Sequence, residues 1–140
     1  MPYSETSILA GFLTRLGAIG LSQPVAWPNV TFTPPSSGGY LRANILPATT
    51  LRAGIPPDSP NRHTGLFQVS VFWPEGQGEI APSEIAGQII AAFKHGTSIQ
   101  IGNSQLRIND APYRNPAIQE PGWYSIPVRI PYVIYADNPA

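Results

Sequence analysis

The chain has 140 residues, 42% of them apolar, and its eight Lys+Arg balance eight Asp+Glu to a formal net charge of zero. That is one domain of ordinary size, able to bury about two-thirds of its unfolded surface; neutrality gives no electrostatic reason to expect a nucleic-acid or anionic-membrane footprint and disfavours non-specific DNA binding, and the absence of Cys excludes disulfides, thiolate nucleophiles and cysteine-ligated zinc. Charged residues are only 11% of the chain, against roughly 25% in a typical soluble domain, and so sparse a surface charge favours association.

No basic region opens the N-terminus, because Glu5 precedes the first apolar run and Arg15 interrupts it. A secretory signal is therefore not expected, and an intracellular protein is the default. No apolar run is long enough to cross a bilayer. Asn29-Val30-Thr31 matches a glycosylation sequon, expected to be a chance match without a signal peptide.

Ser4 is placed to cap a helix whose apolar positions, Ile8, Leu9, Phe12, Leu13 and Leu16, recur at three and four residues, with Gly17 and Gly20 as its stop. Residues 22–35 hold Pro24, Pro28, Pro34 and Pro35, which predicts an extended, irregular edge segment around Val25-Ala26-Trp27 and Val30-Thr31-Phe32. After the turn Ser36-Ser37-Gly38-Gly39, Tyr40 to Leu46 reads as a strand that Pro47 ends.

Pro47 to His63 has no periodicity and carries Pro56, Pro57, Pro60, Arg52 and Arg62, which predicts a long Pro-rich loop that touches another chain. Gly65 to Pro74 is the expected central strand. Its odd positions Phe67, Val69, Val71 and Trp73 are apolar, while Gln68 and Ser70 lie between them.

Gly76-Gln77-Gly78 leads into a second helix starting near Pro82 or Ser83, with Glu84 in its first turn, Ile85, Ile89 and Phe93 on one face, and Lys94-His95-Gly96 at its end. Ser98–Ile101 and Gln105–Ile108 flank Gly102-Asn103-Ser104 as a hairpin with a three-residue loop. Past the irregular residues 110–121, Tyr124, Ile126, Val128, Ile130, Tyr132 and Ile134 alternate along a last strand. Pro127 and Pro131 fall on its other side, which predicts an edge or a bulge there.

These elements predict a single α+β domain over residues 1–140: a mostly antiparallel sheet with two helices packed on one face, in two layers. Each fully buried Leu, Ile or Phe would add roughly 1.5–3 kcal/mol, so the helical stripes and the last strand suffice for a core.

Catalytic constellations are weak. Asp58, Ser59 and His63 crowd into one Pro-rich stretch, whereas a triad needs a buried acid and an oriented imidazole on rigid elements. The carboxylates show no metal-ligand or acid/base spacing, and Gly76-Gln77-Gly78 lacks the Lys and third glycine of a nucleotide fingerprint. No enzymatic activity, metal or cofactor is expected. A small hydrolase or ligand-binding domain using His63, or a pocket beside Trp73, is the minor alternative.

Seven of the eight basic residues are Arg, and Arg with Trp and Tyr is the enriched composition of protein interfaces. The candidate interface residues are Trp27, Arg42, Arg52, Arg62, His63, Leu66, Phe72, Trp73, Trp123 and Arg129.

Pro24-Val25-Ala26-Trp27-Pro28-Asn29-Val30, followed by Phe32-Thr33-Pro34-Pro35 and Tyr40-Leu41-Arg42, resembles the pattern of phage tail-terminator (tail-completion, minor tail protein U type) proteins of long-tailed phages. Arg62-His63-Thr64-Gly65 entering the central strand, then Gly76-Gln77-Gly78, then Gly122-Trp123-Tyr124 with Val128, Ile130 and Tyr132, are similar to that family in the same order. The resemblance implies a virion tail subunit, assembled in the host cytoplasm, that closes into a ring with copies of itself, usually a hexamer. Its implied partners are the tail tube protein, whose polymerisation it stops, and a head-completion or connector protein. DNA would only pass through the bore, without sequence-specific contact, and no membrane is involved; another head–tail connector or neck protein is the nearer alternative. Leu66 and Phe72 also put apolar surface on the even face of the central strand, which is expected to lie against another chain or the Trp27 segment.

Overall fold

The computed structural model describes residues 5–21, 23–27, 31–35, 38–52, 54–55, 61–101 and 104–136. Three long strands set the frame: β2 (Tyr40–Arg52), β3 (Asn61–Pro74) and β8 (Trp123–Ala136). β3 lies between the other two and is antiparallel to both, so the stretch read as the central strand holds that position and begins four residues earlier than Gly65. Around them run α1 (Glu5–Ala18), β1 (Val25–Ala26), α2 (Ile80–Ala92), β4 (Ser98–Ile101), β5 (Ser104–Arg107), β6 (Tyr113–Arg114) and β7 (Ile118–Glu120). The sheet order is β1-β2-β3-β8-β5-β4, with β6 and β7 also paired to β8. Among the described strands only β1 runs parallel to its neighbour. The architecture is thus two helices with a large, mostly antiparallel sheet.

One boundary corrects the expectation. Pro47 does not end β2, and much of the stretch 47–63 is paired strand rather than loop: Thr50, Leu51 and Arg52 face His63, Arg62 and Asn61. The ladder shifts register between Pro47 and Thr50, and beyond Arg42 the outer side of β2 has no strand partner among the described residues. A proline is tolerated at such an edge and bulge because no ladder bond needs its missing N–H.

Pro127 and Pro131 obey the same rule inside β8. The Pro127 carbonyl accepts from the Asn115 amide at 2.9 Å, on the side away from β3. Its own missing N–H points the same way, as does that of Pro131 four residues on. That side is covered only in patches by β5, β7 and β6.

α2 begins at Ile80, earlier than Pro82, which sits in the first turn where a helix has no use for its N–H. The expected cap Ser4 lies outside the described residues. The hairpin of β4 and β5 is tighter than expected, since Ile101 pairs directly with Ser104.

The buried side of the sheet follows the odd residues of β3. Phe67, Val69 and Val71 face Ile45, Ala43 and Leu41 of β2 and Ile130, Val128 and Ile126 of β8. Phe12 of α1 stacks on Phe67 at 4.3 Å between centroids, and Phe93, just past α2, lies 5.8 Å from Phe67. Tyr132 meets Phe12 edge-on at 5.4 Å. Its cross-strand partner Gly65 has no room for a side chain, because a Cβ there would lie 2.6 Å from the Tyr132 hydroxyl. Arg15 of α1 donates from Nε to the Ala92 carbonyl at 3.0 Å and so satisfies an open carbonyl at the end of α2.

Candidate functional site

Cross-strand register decides which candidate residues meet. Because side chains alternate along a strand, the even residues of β3, the odd residues of β8, and the residues of β2 that pair with even β3 positions (even up to Leu46, odd at Leu51 past the register shift) share the face opposite the aromatic core. In rows across β2, β3 and β8 they run Tyr40-Phe72-Ser125, Arg42-Ser70-Pro127, Asn44-Gln68-Arg129, Leu46-Leu66-Pro131 and Leu51-Arg62-Tyr135. β5 adds Arg107 beside Val133, and β6 adds Tyr113 beside Arg129. Of the ten predicted interface residues, Arg42, Arg62, Leu66, Phe72, Trp123 and Arg129 are therefore gathered on one face, contributed by three strands.

At one end this face is aromatic and largely closed. Tyr40 is buried, stacked on Phe72 at 4.7 Å with planes 1° apart, and Trp123 meets it edge-on at 5.0 Å. Phe32 from the Pro-rich segment adds a fourth ring 5.0 Å from Tyr40. Arg42 reaches over the Phe72 ring at 5.5 Å, a cation–π contact with the guanidinium still exposed. In the middle, Arg129 donates from Nε to the Gln68 side-chain oxygen at 3.1 Å.

The other end is open. Leu46, Leu51 and Tyr135 are 41%, 52% and 53% exposed, and Leu66 and Arg62 are half-buried beside them. Four of the seven arginines in the chain, Arg42, Arg62, Arg107 and Arg129, stand on this face. Among the described strand residues on it, the carboxylate is Glu120 of β7, at the Trp123 border. Sequence reasoning passed over Tyr40, although its alternation with Arg42 was a usable signal. It could not place Arg107 here, because only the β5–β8 register does so.

The remaining candidates lie elsewhere. Trp27 sits at the β1 edge, half-exposed. His63 belongs to the opposite side of β3, buried, with Nδ1 3.1 Å from the Thr50 hydroxyl, and is not part of the arginine face. Trp73 is on that side too, packed so closely on Gly39 that no Cβ would fit there. The side chain of Arg52 is outside the described part, as are Asp58 and Ser59.

At the start of α2, Glu79 accepts the Tyr124 hydroxyl at 2.8 Å and an Arg114 guanidinium N–H at 3.1 Å. The Tyr124 bond first, and then Arg114, hold the Glu79 carboxyl below its ordinary range; the same bond pushes the Tyr124 hydroxyl up. These three residues are far apart in sequence, and no local pattern announces them. An open groove of about 630 Å³ runs between α1 and β4. Its base, Arg15, is already committed to Ala92, and among the described residues no acid lines it. Among the described residues no cluster of His, Asp or Glu could hold a metal, and no helix is long and apolar enough to cross a membrane.

The sequence model of the phage tail terminator protein family matches residues 7–132. The chain belongs to that family. Membership gives it a structural role in the phage virion tail. A solved structure whose name states no function is 30% identical, superposes with a TM-score of 0.76, and is matched over 98% of this chain and 99% of its own. A chain from the virion of a native gene transfer agent particle, 12% identical, has a TM-score of 0.58 over 91% of this chain and 94% of its own, a likeness of fold. No curated protein sequence matches the chain.

Proposed function

We propose that this tail terminator family member is a ring subunit, a hexamer of identical copies, that caps the tail tube, ends its polymerisation and joins the tube to the head. The observation that carries the reading is the family match over residues 7–132. The partners are the tail tube protein and a head-completion or connector protein, DNA passes through the bore without being gripped, the role is not enzymatic, and assembly takes place in the host cytoplasm. In this reading the two helices cover one sheet face, supported by the contacts of Phe12 and Phe93 with Phe67. The opposite face and the β2–β3 arm within 47–63 are left for other chains. Exposed Leu46, Leu51 and Tyr135 support that division.

Electron micrographs of the purified chain, alone and mixed with tail tubes, test it. Rings alone, and rings seated at one tube end, are expected. Removing the tip of the β2–β3 arm should leave the melting transition in place and abolish the rings. A chain that stays monomeric at high concentration and leaves tubes bare contradicts the reading.

A further inference from the structure

A ring of identical subunits needs two different surfaces on each copy, one docking on the other around the circle. The chain carries two that suit each other in charge and in apolar content. One is the open sheet face, with Arg42, Arg62, Arg107 and Arg129 around exposed Leu46 and Leu51. The other is the corner where β3 turns into α2. There Glu79 and Glu84 flank Ile80, which is 79% exposed although it is the first residue of the helix, and Glu75, whose Oε2 accepts the Gly122 amide at 3.0 Å, lies in the turn that precedes it. A shallow groove of about 320 Å³ lies beside Ile80, lined by Glu79, Ser83 and Glu84.

The zero net charge of the chain thus hides a separation of signs. The base near the acidic corner, Arg114, is already paired with Glu79. Attraction of the helix dipole for acids accounts for Glu79, the N-cap of α2, but not for Glu75, which precedes the helix by five residues, nor for Glu84, which lies beyond its first turn. The two surfaces do not overlap: Arg114, bonded to Glu79, faces the buried side of β8 through its pairing with Val128, whereas the arginine face is the other side of the sheet.

We propose that the occupant of the arginine face is a second copy of this chain, presenting its Glu75/Ile80/Glu84 corner, with an apolar centre of Leu46, Leu51 and Ile80 rimmed by Arg–carboxylate pairs. The proposal rests on the ring reading and names the surfaces that close the ring. Arginine combined with exposed leucine suits a protein partner, in which a desolvated apolar centre supplies affinity and the charged rim supplies register. A duplex would offer only phosphate, leaving Leu46 and Leu51 without a counterpart.

Charge exchange tests the pairing on the full chain, with mass by light scattering as the readout and circular dichroism as the control for folding. Arg42→Glu with Arg62→Glu should weaken self-association by roughly a hundredfold or more, and Glu75→Arg with Glu84→Arg by a similar factor. Mixed in equal amounts, the two variants should recover the wild-type mass, because each corner then meets a face of opposite sign. Ile80→Ser should weaken assembly without touching a charge. If either charge variant assembles like wild type, or the mixture stays dissociated, the pairing is wrong while the ring survives. If wild type itself is monomeric, the ring reading fails; if it is monomeric and retains duplex DNA through Arg42 and Arg62, nucleic acid is the occupant instead.

Discussion

The two faces of the sheet are made by the same three strands, yet neighbouring residues on one backbone meet opposite surroundings. Along β3, Phe67, Val69 and Val71 are fully buried, whereas Leu66, Gln68 and Phe72 between and beside them are only half-buried. The buried face takes aromatic contacts from α1 and from the end of α2 and carries no arginine among the long-strand residues whose side chains are described. The opposite face carries four and leaves Leu46, Leu51 and Tyr135 exposed. Apolar area that meets water lowers solubility and returns nothing to the stability of the isolated chain. Its retention beside arginine separates the residues that hold the fold from those available to other chains.

The largest effect that can test this separation comes from the buried side. Phe67→Ala removes the ring on which Phe12 stacks, near Phe93, and should cost about 3–5 kcal/mol, the range for truncating a buried aromatic residue. Chemical denaturation measures it. A loss below about 1 kcal/mol would mean that the aromatic knot of α1, β3 and Phe93 is not the centre of the core.

The smallest effect is at the edge of that side. The folded chain holds the Glu79 carboxyl below its ordinary value of 4.5, so its bonds to Tyr124 and Arg114 stabilise the fold above that value. They are lost as pH falls from there through the lowered folded value. Melting temperature against pH should therefore drop slightly more steeply below pH 4.5 in wild type than in Glu79→Gln. Because Glu79 is exposed, the difference is expected to be small. Identical profiles would show that the network is an ornament of the surface.

Much of the buried face was legible in the sequence, because the alternation in 65–73 and 124–134 and the four-residue spacing of Ile8, Phe12 and Leu16 are local signals. The β2–β3 arm was not. Pro47 and the prolines at 56, 57 and 60 read as loop, and only the free outer edge of β2 and its register shift explain how the strand continues. The gathering of Arg42, Arg62, Arg107 and Arg129 was hidden for a different reason. Their sharing of a face is a property of register among four strands, two of them separated by the whole of α2, and no spacing along the chain encodes it.

The division of labour between the faces is tested most directly by sedimentation velocity on Leu46→Asp beside wild type, with melting temperature recorded on the same samples. Leu46 stands on the open face opposite Leu66 and is already 41% exposed, so the substitution should leave melting nearly unchanged while the assembled species seen in wild type is lost. A variant that assembles like wild type, or one that unfolds, would contradict the account.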